Sequence, residues 1–299
     1  MCMDDRFRGL GVALVTPFLP KGNIDYAGLE RLIEHQITGG VDYVVCMGTT
    51  GESVTLTKAE KKELLAQTIG FVRNRVPVVL GVGGNNTAEV IEALGAFDMD
   101  GVDAILSVSP YYNKPTQEGI YQHYKAIAQV ALRPIILYNV PGRTGSNMTA
   151  DTTLRLAKDF KNIIAIKEAS ANLDQMGRIL KHKPKDFMLI SGDDALTLPI
   201  IALGGVGVIS VVGNALPQEF STLVSAALNG DLETARREHL RLIDVIDLLF
   251  AEGNPGGIKH ALKVLGICGD TVRLPLVNIS EATARKLYQA LADAEVVKL

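Results

Sequence analysis

Eight short runs of apolar, largely β-branched residues recur along the chain: Gly11 to Thr16, Tyr43 to Gly48, Val78 to Gly83, Ala104 to Ser109, Ile135 to Val140, Ile163 to Glu168, Met188 to Gly192 and Val208 to Val212. Runs of this length without polar alternation read as strands buried on both faces. Amphipathic segments separate them. In Tyr26 to Thr38, residues Leu29, Leu32, Ile33 and Ile37 fall on one face at helical spacing. The next segment opens with Thr57-Lys58-Ala59-Glu60, a capping box in which hydroxyl and carboxylate satisfy backbone donors at a helix start. Further helices are predicted over Thr87 to Asp98, Gln117 to Ala131, Ala150 to Asp159, Leu173 to Lys181 and Ala195 to Leu203.

Strand alternating with helix eight times predicts a parallel sheet joined by right-handed crossovers, and eight strands is a number that closes a barrel. The fold class is therefore α/β, a (β/α)8 TIM barrel. Gly40, Gly101 and Gly205 stand at helix-to-strand junctions, where glycine ends a helix in the left-handed conformation. A doubly wound open sheet is the alternative. It would need a phosphate-binding glycine motif, and Gly81-Val82-Gly83-Gly84 lacks the spacing of one.

Past residue 215 the strand pattern stops, and helical stretches follow over Pro217 to Leu228, Leu232 to Phe250, Ile258 to Leu265 and Glu281 to Ala294. The second carries Leu240, Leu242, Ile243, Val245, Ile246, Leu248 and Leu249, an apolar surface wide enough for two packing partners. The expected division is a barrel over 1–215 and a C-terminal helical domain over 216–299, with no flexible linker between them.

Composition narrows the function. The chain has 299 residues, 47% hydrophobic and 21% charged, with a formal net charge of −3 and interspersed signs. That supplies a large core and leaves no basic face for nucleic acid or for a membrane surface. The start, Met1-Cys2-Met3-Asp4-Asp5-Arg6, lacks the features of a signal peptide, and no apolar run reaches the ~20 residues of a membrane span. A cytoplasmic protein is expected. Cysteines at 2, 46 and 268 fit neither a disulfide framework nor a zinc motif, so Cys46 reads as core and Cys2 as a terminal thiol. The five histidines fall in predicted helices or, for His182, directly at the end of one, without ligand spacing, so no metal is expected.

In a barrel of this kind chemistry gathers at the C-terminal ends of the strands. Ile163-Ile164-Ala165-Ile166 runs straight into Lys167. Such a lysine either pairs with a carboxylate or reaches the barrel edge; otherwise burial disfavours its ammonium and leaves a neutral amine able to attack a carbonyl. Other strand ends are also polar. Gly48-Thr49-Thr50-Gly51-Glu52-Ser53 could cup a carboxylate or be an ordinary turn. Ser109-Pro110-Tyr111-Tyr112-Asn113 holds adjacent tyrosines that need not face the same way. Tyr138 would stand one strand from Lys167, within reach of its protons, and Arg143 follows in a loop suited to gripping a carboxylate with two parallel hydrogen bonds. Asp193 and Asp194 could serve as acids, but at a helix start they read first as caps.

These motifs make the chain recognisable. Gly48-Thr49-Thr50-Gly51-Glu52, Tyr111-Tyr112-Asn113, Tyr138-Asn139-Val140-Pro141, Ile166-Lys167-Glu168-Ala169 and Ser191-Gly192-Asp193-Asp194 resemble the pyruvate-dependent class I aldolase and lyase family over nearly the whole length. Within it, the chain is similar to members that condense pyruvate with L-aspartate 4-semialdehyde on the route to diaminopimelate and lysine. The resemblance implies Lys167 as the Schiff-base lysine and Thr49, Tyr138 and Tyr112 as a proton relay, Tyr112 crossing from a neighbouring subunit. It further implies Thr50 on the pyruvate carboxylate, Arg143 on the carboxylate of the second substrate, and Gly192 and Ile209 as backbone contacts near the lysine. A homotetramer, built as a dimer of dimers, is implied, with no cofactor.

Two relatives in function stay open: N-acetylneuraminate lyase and the 2-keto-3-deoxy sugar-acid enzymes share the lysine and tyrosine, although Arg143 gives a polyhydroxy substrate little use for its charge. A non-catalytic barrel that binds a keto acid is a third reading. Ser53, Asn85, Glu89 and Tyr111 match the allosteric lysine pocket of sensitive members, but Lys58 and Lys61 stand where those members often have histidines. Like charge beside a cationic ligand predicts weak inhibition or none. Asn254-Pro255-Gly256-Gly257-Ile258-Lys259 departs from the family's commoner second proline, a difference expected to touch tail packing rather than chemistry.

Overall fold

The computed structural model describes residues 5–297; Cys2 lies outside them. Eight parallel strands close on themselves in chain order. They are β1 (Gly9–Ala13), β2 (Tyr43–Cys46), β3 (Val78–Gly81), β4 (Ala104–Val108), β5 (Ile135–Asn139), β6 (Ile163–Glu168), β7 (Met188–Ser191) and β8 (Gly207–Ser210). The helices are α1 (Tyr26–Thr38), α2 (Lys58–Val72), α3 (Thr87–Ala96), α4 (Gln117–Val130), the single turn α5 (Pro141–Thr144), α6 (Ala150–Asp159), α7 (Leu173–His182), α8 (Thr197–Ala202), α9 (Pro217–Leu228), α10 (Leu232–Phe250), α11 (Gly256–Val264) and α12 (Glu281–Asp293). The fold is a (β/α)8 barrel with C-terminal helices. No helix among the described residues is long and apolar enough to cross a membrane.

Strand alternation sorts the apolar residues into two cores. In β5, Ile136 and Tyr138 belong to the cluster filling the lumen with Ala13, Val45, Val79 and Ile209, whereas Ile135 and Leu137 join the larger layer between sheet and helices. At the bottom of the lumen the Phe7 ring meets Tyr43 edge-on with centroids 5.6 Å apart. The sheet is uniform except between β5 and β6. There the register slips by one: Ile135 pairs with Ile163, but Ile136 pairs with Ala165, leaving Ile164 as the extra residue of a bulge.

Helix α2 has the capping box read from the sequence, with Glu60 N–H donating to Thr57 Oγ1 and Thr57 N–H to Glu60 Oε2. Several element ends shift by one to three residues from the sequence reading, and two differences have a clear physical reason. The first strand begins at Gly9 and ends at Ala13, because Val15 N–H turns away from the sheet to the Asn214 side chain. At the junction into β8 the left-handed glycine is Gly204 (φ +112°) rather than Gly205, while Gly40 (φ +81°) and Gly101 (φ +74°) are as expected.

For the domain division we propose a boundary later than residue 215. Helix α9 packs against β1, β8 and α1, so it completes the ring of barrel helices instead of beginning the appendage. We place the boundary after α9, which leaves α10, α11 and α12 as the appended helices. Helix α10 is wedged between α9 on one side and α11 and α12 on the other, the two-sided packing its wide apolar surface called for; Leu240 stays exposed, as do Leu232 and Phe250 at the two ends of the helix.

Candidate active site

At the C-terminal end of β6 the pleat sends Lys167 into the lumen and Glu168 out behind the sheet. Lys167 is buried, with 5% of its surface exposed, and its Cα partners are Tyr138 on β5 and Ile190 on β7. Its Nζ lies 4.4 Å from the centre of the Tyr138 ring. No described carboxylate or carbonyl engages the amine, which removes the reading of Lys167 as half of an ion pair. Gly192 makes room for it: a Cβ there would stand 3.0 Å from Lys167 Cε and 2.7 Å from Ala169 Cβ. Ile209 faces the lumen from β8 with 1% of its surface exposed.

Glu168 closes a buried polar network that the sequence did not announce. Its carboxylate accepts from Asn139 Nδ2 at 3.0 and 3.1 Å, from Gln175 Nε2 at 3.0 Å and from Ser170 N–H at 2.9 Å. Burial raises its pKa, and these donors offset only part of the rise. Asn139 and Glu168 each follow a lumen-facing residue, Tyr138 and Lys167, so the bond between them ties the two strand ends together from behind.

The turn after β2 is built by Gly51 N–H on Gly48 O and Glu52 N–H on Thr49 O, both at 3.1 Å. Thr49 is exposed at its tip, while Thr50 is buried and accepts a hydrogen bond from Asn254 Nδ2 at 2.9 Å. Glu52, left-handed at φ +51°, is fully buried; it accepts from Lys259 Nζ at 2.5 Å and from Arg273 N–H at 2.9 Å. The tail stretch, whose departure from the family pattern is expected to bear on packing more than on chemistry, therefore touches the loop that carries Thr50. Its glycines have a packing reason too, since a Cβ on Gly257 would lie 2.4 Å from the Leu249 carbonyl oxygen. Arg273 also grips Glu60 through two nitrogens and holds that carboxyl at about 2.

Asp194 is not the helix cap expected. Asp193 Oδ1 accepts from Leu196 N–H, whereas Asp194 is buried and accepts from Val211 and Val212 N–H, fastening the end of β8 to that of β7. Burial pushes its carboxyl up to about 6.

At the rim, Tyr112 adopts φ +70° and is 86% exposed, with its backbone N–H on Thr144 O. Arg143, on α5, is exposed and unpaired among the described residues. One chain thus brings Lys167, Tyr138, Gly192 and Ile209 together in the lumen and leaves the Tyr112 side chain in solvent. Of the residues matched to an effector pocket, Lys58 is bound to Glu92 at 2.9 Å, Glu89 to Asn86, and the Asn85 carbonyl to Asn113; Ser53, Lys61 and Tyr111 are partly buried.

A buried, unpaired lysine beside a tyrosine at the mouth of a parallel barrel is equipped for Schiff-base chemistry. Comparison with known proteins agrees: the sequence profile of the Dihydrodipicolinate synthetase family matches residues 6–294. The chain belongs to this family. Among relatives, a 4-hydroxy-tetrahydrodipicolinate synthase of Azobacteroides pseudotrichonymphae is 54% identical, with 95% of this chain and 96% of the relative covered. One from Parabacteroides distasonis is 52% identical over 98% of this chain and 99% of the other. Among solved structures, the dihydrodipicolinate synthase of Aquifex aeolicus superposes with a TM-score of 0.94 at 42% identity, covering 98% of this chain and 100% of that one. That of Cyanidioschyzon merolae, solved with lysine bound, gives 0.94 at 43% identity, covering 98% and 99%.

Proposed function

We infer that the chain is a lyase that condenses pyruvate with L-aspartate 4-semialdehyde to 4-hydroxy-tetrahydrodipicolinate, the committed step toward diaminopimelate and lysine. The observation that carries the chemistry is the unpaired Lys167 amine facing the Tyr138 ring in the lumen. Family membership and the full-length relatives carry the choice of second substrate.

In the proposed mechanism the Lys167 lone pair attacks C2 of pyruvate, and the carbinolamine loses water to give an imine. Loss of a methyl proton, shuttled through Tyr138, gives an enamine. The enamine carbon attacks the aldehyde of the semialdehyde, whose oxygen takes up a proton. The amino group of that substrate then adds to the imine carbon, Lys167 is expelled as a free amine, and the ring closes. Thr49 and Tyr112 would complete the relay and Thr50 would hold the pyruvate carboxylate. Arg143 would grip the carboxylate of the semialdehyde, with Gly192 and Ile209 offering backbone contacts near the lysine. The exposure of Tyr112 on a left-handed backbone supports its donation to a second subunit, within a homotetramer made of two dimers.

The test is a coupled assay in which the product is reduced by its partner reductase while nicotinamide oxidation is followed, with N-acetylneuraminate cleavage run in parallel. Turnover with pyruvate and the semialdehyde alone is expected. Turnover with the sugar acid alone would retain Lys167 and Tyr138 and overturn the role given to Arg143.

A further inference from the structure

The contact between Asn254 and Thr50 joins residues 204 apart in sequence. Both are buried, with 8% and 3% of their surfaces exposed. We propose that Asn254, reaching in from the appended helices, is a positioning residue for pyruvate: its amide N–H holds the Thr50 hydroxyl so that the hydroxyl proton is directed at the keto-acid carboxylate. The proposal rests on the reading of Thr50 as the carboxylate contact.

The chemistry follows from the donor count. A threonine hydroxyl has one proton to give and two lone pairs to receive with. When Asn254 Nδ2 donates to Oγ1, one lone pair is used and the proton stays free for an anion. Receiving a hydrogen bond also polarises the O–H and strengthens what it then donates. The other end of the same amide argues against a packing role, because Asn254 Oδ1 is buried without a hydrogen-bond partner among the described residues. A side chain present only to fill space would not be expected to bury an unsatisfied acceptor.

The surroundings fix this contact from the same side. Two residues after Thr50, Glu52 is held by Lys259 Nζ and by the backbone of Arg273. Arg273 in turn donates to the carbonyls of Gly22 and Thr55. The appended helices and the segment before α12 thus clamp the loop at Thr50 and at Glu52, while Thr16 Oγ1 donates to the Gly51 carbonyl between them at 2.6 Å. A loop so held presents Thr50 in one orientation before pyruvate arrives, so its hydrogen bond needs no ordering at the moment of binding.

Asn254→Ala and the nearly isosteric Asn254→Asp separate this role from a structural one. The readouts are the pyruvate concentration at half-maximal borohydride trapping, the KM for the semialdehyde, kcat, and the melting temperature. For Asn254→Ala the pyruvate half-saturation should rise about tenfold, while the trapping rate at saturation and the KM for the semialdehyde change less than about twofold. Asn254→Asp should weaken pyruvate binding at least as much, because its carboxylate draws the Thr50 proton to itself. In a Thr50→Val background, Asn254→Ala should add almost nothing. Unchanged pyruvate half-saturation in both variants would overturn the proposal. So would fully additive effects with Thr50→Val, or equal losses for both substrates that track the melting temperature. Failure of the functional reading itself would appear in the unaltered enzyme, as an absence of pyruvate trapping.

Discussion

The Cα atoms of Tyr138 and Lys167 are register partners across β5 and β6 because one extra residue, Ile164, is accommodated below them. Without that bulge Tyr138 would stand opposite Ile166, and since a one-residue slip turns a strand's side chains to the other face, tyrosine and lysine could not both enter the lumen. The slip near the base of the barrel is what brings an aromatic ring to 4.4 Å from the amine at its mouth.

This arrangement predicts different losses at the two residues. Lys167→Ala should give no borohydride-stable adduct with pyruvate at any concentration, measured by mass spectrometry of the intact chain. Tyr138→Phe keeps the ring and removes the hydroxyl we propose as the proton carrier, so an adduct should still form while kcat falls by roughly 10²- to 10⁴-fold. An adduct of unchanged yield in Lys167→Ala would remove the lysine from the chemistry.

Arg143 is exposed and has no described partner, so its replacement disturbs no internal contact. Arg143→Ala should leave pyruvate trapping and the melting temperature as they are and raise KM for the semialdehyde by roughly ten- to a hundredfold, the scale of one charge-assisted pair of hydrogen bonds. A rise in the pyruvate requirement instead would place the guanidinium on the wrong substrate.

Much of this was legible from local pattern. The eight strands, the helical spans and the polar strand ends all follow from apolar runs, capping residues and glycines, each within a few residues of the next. What was not legible is non-local. No spacing in the sequence links Asn254 to Thr50 or Lys259 to Glu52, since more than 200 residues separate each pair. Asp194 is illegible for a related reason: an aspartate beside a helix start has the sequence signature of a cap, and the competing donors on Val211 and Val212 lie just past the end of the next strand. The sequence pattern puts helix α9 in the tail because strands stop before it, whereas our placement of it in the barrel's ring rests on contacts that exist only in three dimensions.

Inhibition by lysine should be weak or absent below millimolar concentrations. Lys58 is almost fully exposed and paired with Glu92, so an ammonium already occupies the face that Glu89 and Asn85 would offer to a cationic ligand. Initial rates at saturating substrates with added lysine check this. Clear inhibition at micromolar lysine would mean that Lys58 or Lys61 serves the ligand's carboxylate.

Asp194 makes a pH prediction with a definite sign. Burial lifts its carboxyl from the ordinary 3.8 to about 6 in the folded chain. Between those values the unfolded chain releases the proton and the folded chain keeps it, so stability falls as pH rises through that window and levels off above it. The fall attributable to this group is about 3 kcal/mol. Chemical denaturation of the unaltered protein and of Asp194→Asn, repeated from pH 4 to 7, should show the difference between them changing most below pH 6. A difference that is flat across the window would mean the carboxylate is ionised in the folded state throughout.

The ion pair between Lys259 and Glu52 has both side chains fully buried, and burial lowers the pKa of the lysine against the pull of its partner. A pair of this kind need not add net stability, but breaking it on one side is costly, because the remaining charge keeps its desolvation and loses its compensation. Lys259→Met should therefore cost about 3–5 kcal/mol in chemical denaturation. Replacing Glu52 by Gln in the same chain should recover most of that loss, since the amide oxygen can still accept from the Arg273 backbone and no unpaired charge is left. Recovery of stability without recovery of pyruvate binding would mean that the charges, beyond fixing the tail, set the shape of the loop that presents Thr50. A double variant no more stable than Lys259→Met alone would show that the other contacts of the amine, over the Phe18 ring and to the Thr271 carbonyl, matter more than its pairing with Glu52.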